Sequence, residues 1–375
     1  MTVRKMEVPE MEWVDQKAEG TQQVAVMETI GKIDIKYAKL PHAKRGQIRV
    51  DVKWVGICGS DLEVYRGART PEFLSYPMRL GHEVAGIVDE VGSDIVGLQV
   101  GDHVALRYVW GAFAEYITCD PFSAVVLPKE FPLMHGSLIE ITPTIQTGME
   151  RAEINQSKNV LIMGQGVSGL QLTQFARLYS PRNLVVTDLF DEKLEIAKEF
   201  GATKTYKIPS EDTPTMDVVG QDFPDGFDVV IPARLEGDSV IDALDACAQN
   251  AKLIMYGGIG KTSKTMDFFK MHRRRVDILT TEPKRDVDNH QLFRQGRDMV
   301  VNGLINTEKT VTNVFPLSKI SDAFDLRNQT RGDVIHVMID CDVIHVMIDC
   351  DVTHDDGRYD NGHIPDVVNE PSQEE

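Results

Sequence analysis

From Gln23 the chain alternates apolar and polar positions with a period of two, and QQVAVMETIGKIDIKYAKLP reads as two strands around a Gly31-Lys32 turn. GQIRVDVKWVGICG follows as another strand, with Cys58 at its end. GHEVAGIVDEVGSDI (81–95) and VGDHVALRYV keep the same Val, Ile and Gly richness, and GAFAEYITCD and SAVVLPKEFP complete the region. Together these predict a β-rich, glycine-punctuated unit of about 130 residues, closer to a partly closed barrel than to a helical bundle.

The pattern changes near residue 138. SLIEITPTIQTGMERAEI is helical in its middle, and strands and helices then take turns. NVLIMG is a buried-type strand and VSGLQLTQFARLYS a helix; NLVVTD is a strand, and DEKLEIAKEFG a helix stopped by Gly201. FDVVIPA, DSVIDALDACAQ and AKLIMYGG repeat the alternation as strand, helix and strand, which is the rhythm of a doubly wound parallel sheet. Helical spacing returns in HQLFRQGRDMVVNGL and LSKISDAFDLRN. The fold class is therefore α/β, with a β-rich domain over 21–150, a parallel-sheet domain over 151–290, and a return to the first domain over 291–350. Residues 1–20 read as a loose arm and the acidic stretch 351–375 as disordered.

DVIHVMIDC at 333–341 recurs letter for letter at 342–350, although one final strand suffices. His336 and His345 alternate with apolar residues in the two copies and read as a solvated face. Cys119 at a strand end, Cys247 on a helix, and Cys341 and Cys350 in the repeat read as core or edge thiols, and Asp102 and His103 as structural turn residues.

Composition narrows the function. A formal charge of −18 argues against nucleic acid, whose recognition needs a concentrated basic surface. The dense basic run His272–Arg275 reads as a solvated loop or strand end rather than a phosphate contact. Five cysteines without a regular framework suggest a reducing compartment. Neither a secretory leader nor a membrane-spanning run is evident, so the expectation is a cytoplasmic protein.

Two motifs carry chemistry. Gly164, Gly166 and Gly169 form G-x-G-x-x-G between the strand NVLIM and a helix that opens at Val167. The first glycine allows the tight turn, the second lets a pyrophosphate approach the backbone, and the third permits close helix–strand packing. The phosphates then sit at the helix N-terminus, where free N–H groups favour anions. The next strand ends at Asp188, where a carboxylate can take the ribose hydroxyls and would repel a 2′-phosphate, so a Rossmann domain binding NAD is expected. The second motif is a donor set. Zinc takes thiolate, imidazole and carboxylate ligands and keeps one position open in catalytic sites, and Cys58, His82 and an acid would supply them. Taken singly, a buried core thiol, a satisfied turn histidine and a surface acid (Glu83) are the weightier assignments.

The ordered blocks change that balance. GICGSD, YPMRLGHEVAGIVDEVG, VGDHV, GAFAEY, the glycine fingerprint and Asp188 resemble the zinc-dependent medium-chain dehydrogenase/reductase (alcohol dehydrogenase) family over about residues 22–340. Through CGSD, SLIE and VVTDL the chain is most similar to its polyol (sorbitol/iditol-type) branch. The resemblance implies a GroES-like catalytic domain with an inserted nucleotide-binding domain, and a homo-oligomer. It assigns Cys58 and His82 as metal ligands, Glu83 as an acid that binds zinc or sits behind it, and Glu140 as the third ligand of the polyol branch. In that branch a proline usually follows the acid; here Ile141 does. Ser60 matches the hydroxyl that takes the substrate's proton.

Two departures matter. ALRYVW stands where many members carry a four-cysteine lobe, so at most one zinc per chain is implied, with no structural zinc. Glu63 stands where relatives often place a relay histidine, so the proton leaves through Glu63, a water chain or the ribose. The activity implied is hydride transfer between a secondary alcohol, polyol or sugar-like, and NAD. Arg66, Arg69 and Phe73, between Tyr65 and Pro77, do not identify the substrate. The rivals are a zinc-free reductase of activated double bonds or quinones and a non-catalytic NAD-binding protein.

Overall fold

The computed structural model describes residues 10–68, 76–234, 238–257, 262–281 and 287–342. Residues 1–9, Arg69, Phe73, the second repeat copy beyond Asp342 with His345 and Cys350, and the acidic stretch 351–375 lie outside the described residues.

The first strands are β1 (Trp13–Val14), β2 (Thr21–Thr29) and β3 (Lys32–Lys39), which form an antiparallel sheet in the order β1-β3-β2. Gly31 makes the β2–β3 turn with a φ of +69°, a left-handed backbone that favours glycine. The described end of the expected arm is thus not loose, because Trp13 and Val14 pair with Ala38 and Tyr37. Two residues are too few to show a periodicity.

Next come β4 (Ile48–Gly56), β5 (Glu83–Val91), β6 (His103–Leu106), β7 (Tyr116–Cys119) and β8 (Ala124–Val126). In β4 the period of two is explicit. Ile48, Val50 and Val52 are fully buried, while Arg49 and Lys53 on the opposite face pair with Asp89 and Asp342.

The parallel sheet is built from β9 (Asn159–Met163), β10 (Asn183–Asp188), β11 (Lys204–Lys207), β12 (Phe227–Pro232), β13 (Cys247–Met255) and β14 (Asp277–Thr280). Its order is β11-β10-β9-β12-β13-β14, with all pairs parallel. Val160, Leu161, Ile162, Val185 and Val230 are fully buried, because helices cover both faces. The helix Asp191–Glu199 carries Asp191 and Glu192 in its first turn, complementing its dipole, and Gly201 follows its end at φ +105°.

Two local expectations are corrected here. The helix Ser239–Ala246 stops one residue before Cys247, which opens β13 and is buried. The apolar spacing of DACAQ fits either element, and parallel pairing with Phe227 decides for the strand. The basic run is neither loop nor strand end: His272, Arg273 and Arg274 form the last turn of the helix Phe268–Arg274, where cations complement the helix dipole.

The helix Val287–Val301 then lies against the helix Thr142–Ala152, with Gln146 Nε2 donating to the Leu292 carbonyl at 2.8 Å. Finally β15 (Val311–Pro316) and β16 (His336–Asp340) join the first domain. Its main sheet runs β15-β16-β4-β5-β6-β8, with β7 also on β4. The first repeat copy alone supplies β16. His336 contradicts the solvated-face expectation, since it is 0 % exposed. Both faces of β16 are covered, Val337 and Ile339 by one apolar core and Met338 by the other, so alternation does not mark a wet side.

Candidate metal and coenzyme site

Cys58 is the N-cap of the short helix Gly59–Tyr65, immediately after β4. Its N–H donates to Asp61 Oδ2 at 3.0 Å, a side chain reaching back over the first turn. The other carboxylate oxygen, Oδ1, accepts from the Gly81 N–H at 3.1 Å and lies 3.5 Å from His82 Nδ1. Asp61 is fully buried and therefore stitches the Cys58 turn to the residues that lead into β5. Gly81 has a φ of +93°, and a side chain there would press on Phe113. One buried acid and one left-handed glycine thus bring two distant sequence blocks together.

The sulfur of Cys58, a ring nitrogen of His82 and a carboxylate oxygen of Glu83 lie within 4.8 Å of one another, the one such cluster among the described residues. His82 is flanked by Trp110, with ring centroids 4.5 Å apart, and by Ser60, whose Oγ is 3.4 Å from Nε2. Burial pushes the Cys58 thiol up, and the neighbouring Glu83 adds to it. Burial alone would lower His82, but Asp61 and Cys58 outweigh it and hold the imidazole well above its ordinary range. Burial likewise opposes charge on Glu83, and His336 and His82 reverse that to leave its carboxyl low. An entering cation must therefore displace the thiol proton, as thiolate metal sites require.

Glu140 sits apart from this trio. Burial raises its pKa, and the fully buried Arg107 counters, with Nη1 3.5 Å from Glu140 Oε1 and bonded to the Glu140 carbonyl. Arg107 Nη2 also donates to Thr144 Oγ1 at 2.9 Å.

A cleft of about 1800 Å³ runs from Cys58, Ser60, Glu63, His82 and Glu140 to Gly164, Gly166, Val167 and Asp188. Both chemical motifs therefore face one space. In the glycine turn, Gly164 has a φ of +92°, and a Cβ on Gly169 would overlap the Gly164 carbonyl oxygen. Nothing lies within 4 Å of a Cβ built on Gly166, so that position opens onto the cradle where a pyrophosphate would lie. Asp188 Oδ2 accepts from the Gln165 N–H at 2.6 Å and Oδ1 from the Phe190 N–H at 3.0 Å, which fixes the carboxylate at the end of β10. Replacing Gly166 by valine is expected to leave the melting temperature nearly unchanged and to weaken dinucleotide binding at least roughly tenfold. One lost hydrogen bond to a charged phosphate, about 1.5–3 kcal/mol, suffices for that. Calorimetric titration with NADH measures it.

The residues sequence reasoning passed over are Asp61, Arg107 and Trp110, and it misread His336 as a wet face. Asp61 lay inside the CGSD block, three residues after Cys58, where a capping acid was legible. Arg107 and Trp110 lay in the segment standing where the cysteine lobe would be. His336 had no local signal.

The chain matches the alcohol dehydrogenase GroES-like domain over residues 44–129 and the zinc-binding dehydrogenase domain over residues 168–282. It is 26 % identical over 345 residues to the starvation-sensing protein RspB of Escherichia coli, covering 84 % of this chain and 98 % of that one. It is also 26 % identical over 353 residues to sorbitol dehydrogenase of Bacillus subtilis, covering 84 % and 96 %. A zinc-binding dehydrogenase from Sinorhizobium meliloti solved with NADP superposes with a TM-score of 0.74 at 23 % identity, covering 86 % of this chain and all of that one. Two domain matches in the right order, relatives aligned along nearly their whole length and a shared fold lead to one conclusion: the chain belongs to the zinc-type medium-chain dehydrogenase/reductase family and is an oxidoreductase of that family.

Proposed function

We propose that the protein oxidises a secondary alcohol, polyol or sugar-like, with NAD, and that Cys58, His82 and Glu83 hold one zinc per chain. The observation that carries this reading is the convergence of the three donors beside a cleft shared with the glycine turn. Thiol, imidazole and carboxylate suit zinc, and three protein ligands leave the position a catalytic ion needs. Glu140 is occupied by Arg107, which favours Glu83 as the acid of the shell. The donor set also disfavours the zinc-free reductase. Similarity to sorbitol dehydrogenase points to polyols.

Zinc when bound supplies Lewis-acid polarisation of an alcohol oxygen, and NAD supplies the hydride acceptor. The chain's own groups do the rest. Asp61 fixes the orientation of His82. Ser60, on the cleft wall beside His82, takes the hydroxyl proton, and Glu63, one helical turn on and also lining the cleft, carries it outward. Asp188 holds the ribose and rejects a 2′-phosphate. Trp110 packs on the His82 ring and walls the cleft beside it.

The test is elemental analysis of protein purified without chelator, followed by a polyol panel with NAD and NADP in parallel, read as reduced coenzyme. About one zinc per chain and turnover preferring NAD are expected. Ser60→Ala is expected to lower kcat by about 10²–10⁴, the range for a lost general base, with little change in KM. Dinucleotide binding without metal or turnover would move the non-catalytic reading to the front.

A further inference from the structure

In the main sheet of the first domain β4 lies between β5 and β16, and Gly56 pairs with Glu83 on one side and Met338 on the other. His336, two residues before Met338, shares its face of the strand. Gly56 has no side chain, and Glu83 and His336 meet over the space this leaves. His336 Nε2 lies 2.9 Å from Glu83 Oε2, and the two side chains are 0 % and 1 % exposed. A Cβ on Gly56 would overlap both atoms. Cys58 and His82 line the cleft, whereas Glu83 and His336 are buried and do not.

This arrangement is costly as pure structure. The His336–Glu83 contact lacks hydrogen-bond angles, and neither ring nitrogen of His336 has another hydrogen-bond partner. A buried polar pair left in that state opposes folding, and apolar residues of similar volume commonly do better. The contact gains a purpose if the carboxylate has a second task, since outer partners orient a ligating side chain and hold its charge.

We propose that His336 is a positioning residue for the metal ligand Glu83, clasping the carboxylate from behind across the bare backbone of Gly56. The inference rests on the reading of Cys58, His82 and Glu83 as the zinc shell. His336 touches no substrate and acts only through Glu83. β16 thereby contributes to the metal site, although His336 does not line the cleft.

The experiment follows zinc release from the loaded full-length protein to a chromogenic chelator, with NADH affinity and the melting point of the metal-free protein measured alongside. His336→Phe is expected to weaken zinc retention about 10–100-fold, the range for lost outer partners. His336→Gln keeps a donor and is expected to recover part of that loss. Gly56→Ala, with His336 present, is expected to reproduce the loss by wedging the pair apart. His345→Gln, in the second repeat copy, is expected to retain zinc as the parent does. NADH affinity is expected to stay unchanged throughout.

Zinc retention at the parental level in both His336 variants would overturn the proposal, whatever happens to the melting point. So would a loss that appears only when His336 and His345 are replaced together. A parent protein that takes up no zinc would instead overturn the metal site itself, and the clasp with it.

Discussion

Cys58→Ala is expected to remove zinc and to lower turnover of secondary alcohols by roughly 10³–10⁴ while leaving NADH binding within about twofold of the parent. The magnitude follows from the several kcal/mol of charge stabilisation that a catalytic ion supplies, at about 1.4 kcal/mol per tenfold in rate. The selectivity follows from placement. Cys58 stands on the catalytic side of the cleft, and the glycine turn with Asp188 is built by β9, β10 and the helix Val167–Leu178. The thiol makes a small contribution to the core, and the Cys58 N–H bond to Asp61 survives the substitution. Elemental analysis, stopped-time assays and calorimetry on the same preparation check all three parts. Undiminished turnover without zinc would revive the zinc-free reductase.

Asp61→Ala is expected to be the more damaging change to the fold. The carboxylate accepts from the backbone of Cys58 and Gly81 and faces His82, with no exposure to solvent. Removing it leaves two inward N–H groups without their acceptor and the imidazole without its counter-charge. Breaking a buried ionic contact on one side costs about 3–5 kcal/mol. Zinc affinity is expected to fall about 10–100-fold as well, because His82 loses the group that orients it. Chemical denaturation of the metal-free protein measures the first effect, and competition with a chelator the second. Asp61→Asn separates them: it keeps the shape and one acceptor but not the charge, so it is expected to recover stability more than zinc affinity.

What could be read from the sequence was what is local. The glycine turn, Asp188 and the helix that follows are specified within about thirty residues, where backbone conformation and helix-terminus electrostatics act on neighbours in the chain. The Cys58 and His82 blocks were legible through the order of the motifs around them and their resemblance to one family, whereas the capping acid Asp61 that joins them was passed over. What was missed depends on partners far along the chain. Arg107 meets Glu140 across thirty-three residues, and nothing around either one announces the other. His336 reads as a wet face because strand alternation gives a period and not a direction. The pairing that places it beside Glu83 joins β16 to β4, with the whole parallel-sheet domain between them in sequence. Cys247 was misplaced for a related reason: DACAQ has no stop signal, and the sheet, not the helix, claims it.

The late position of β16 has a consequence for biosynthesis. The parallel sheet is contiguous, from β9 to β14, and all of its strands are made before β15. The sheet that holds Glu83 and leads into Cys58 is interrupted by that whole domain, and β4 must wait for a partner made after it. On the ribosome the coenzyme half can thus be finished while the metal half still has an unpaired stretch along β4, where a chaperone or a wrong strand can bind. On the proposed reading, the metal ligand Glu83 gains its clasp only when β16 arrives, so firm zinc retention waits for His336 as well as for the ligands themselves.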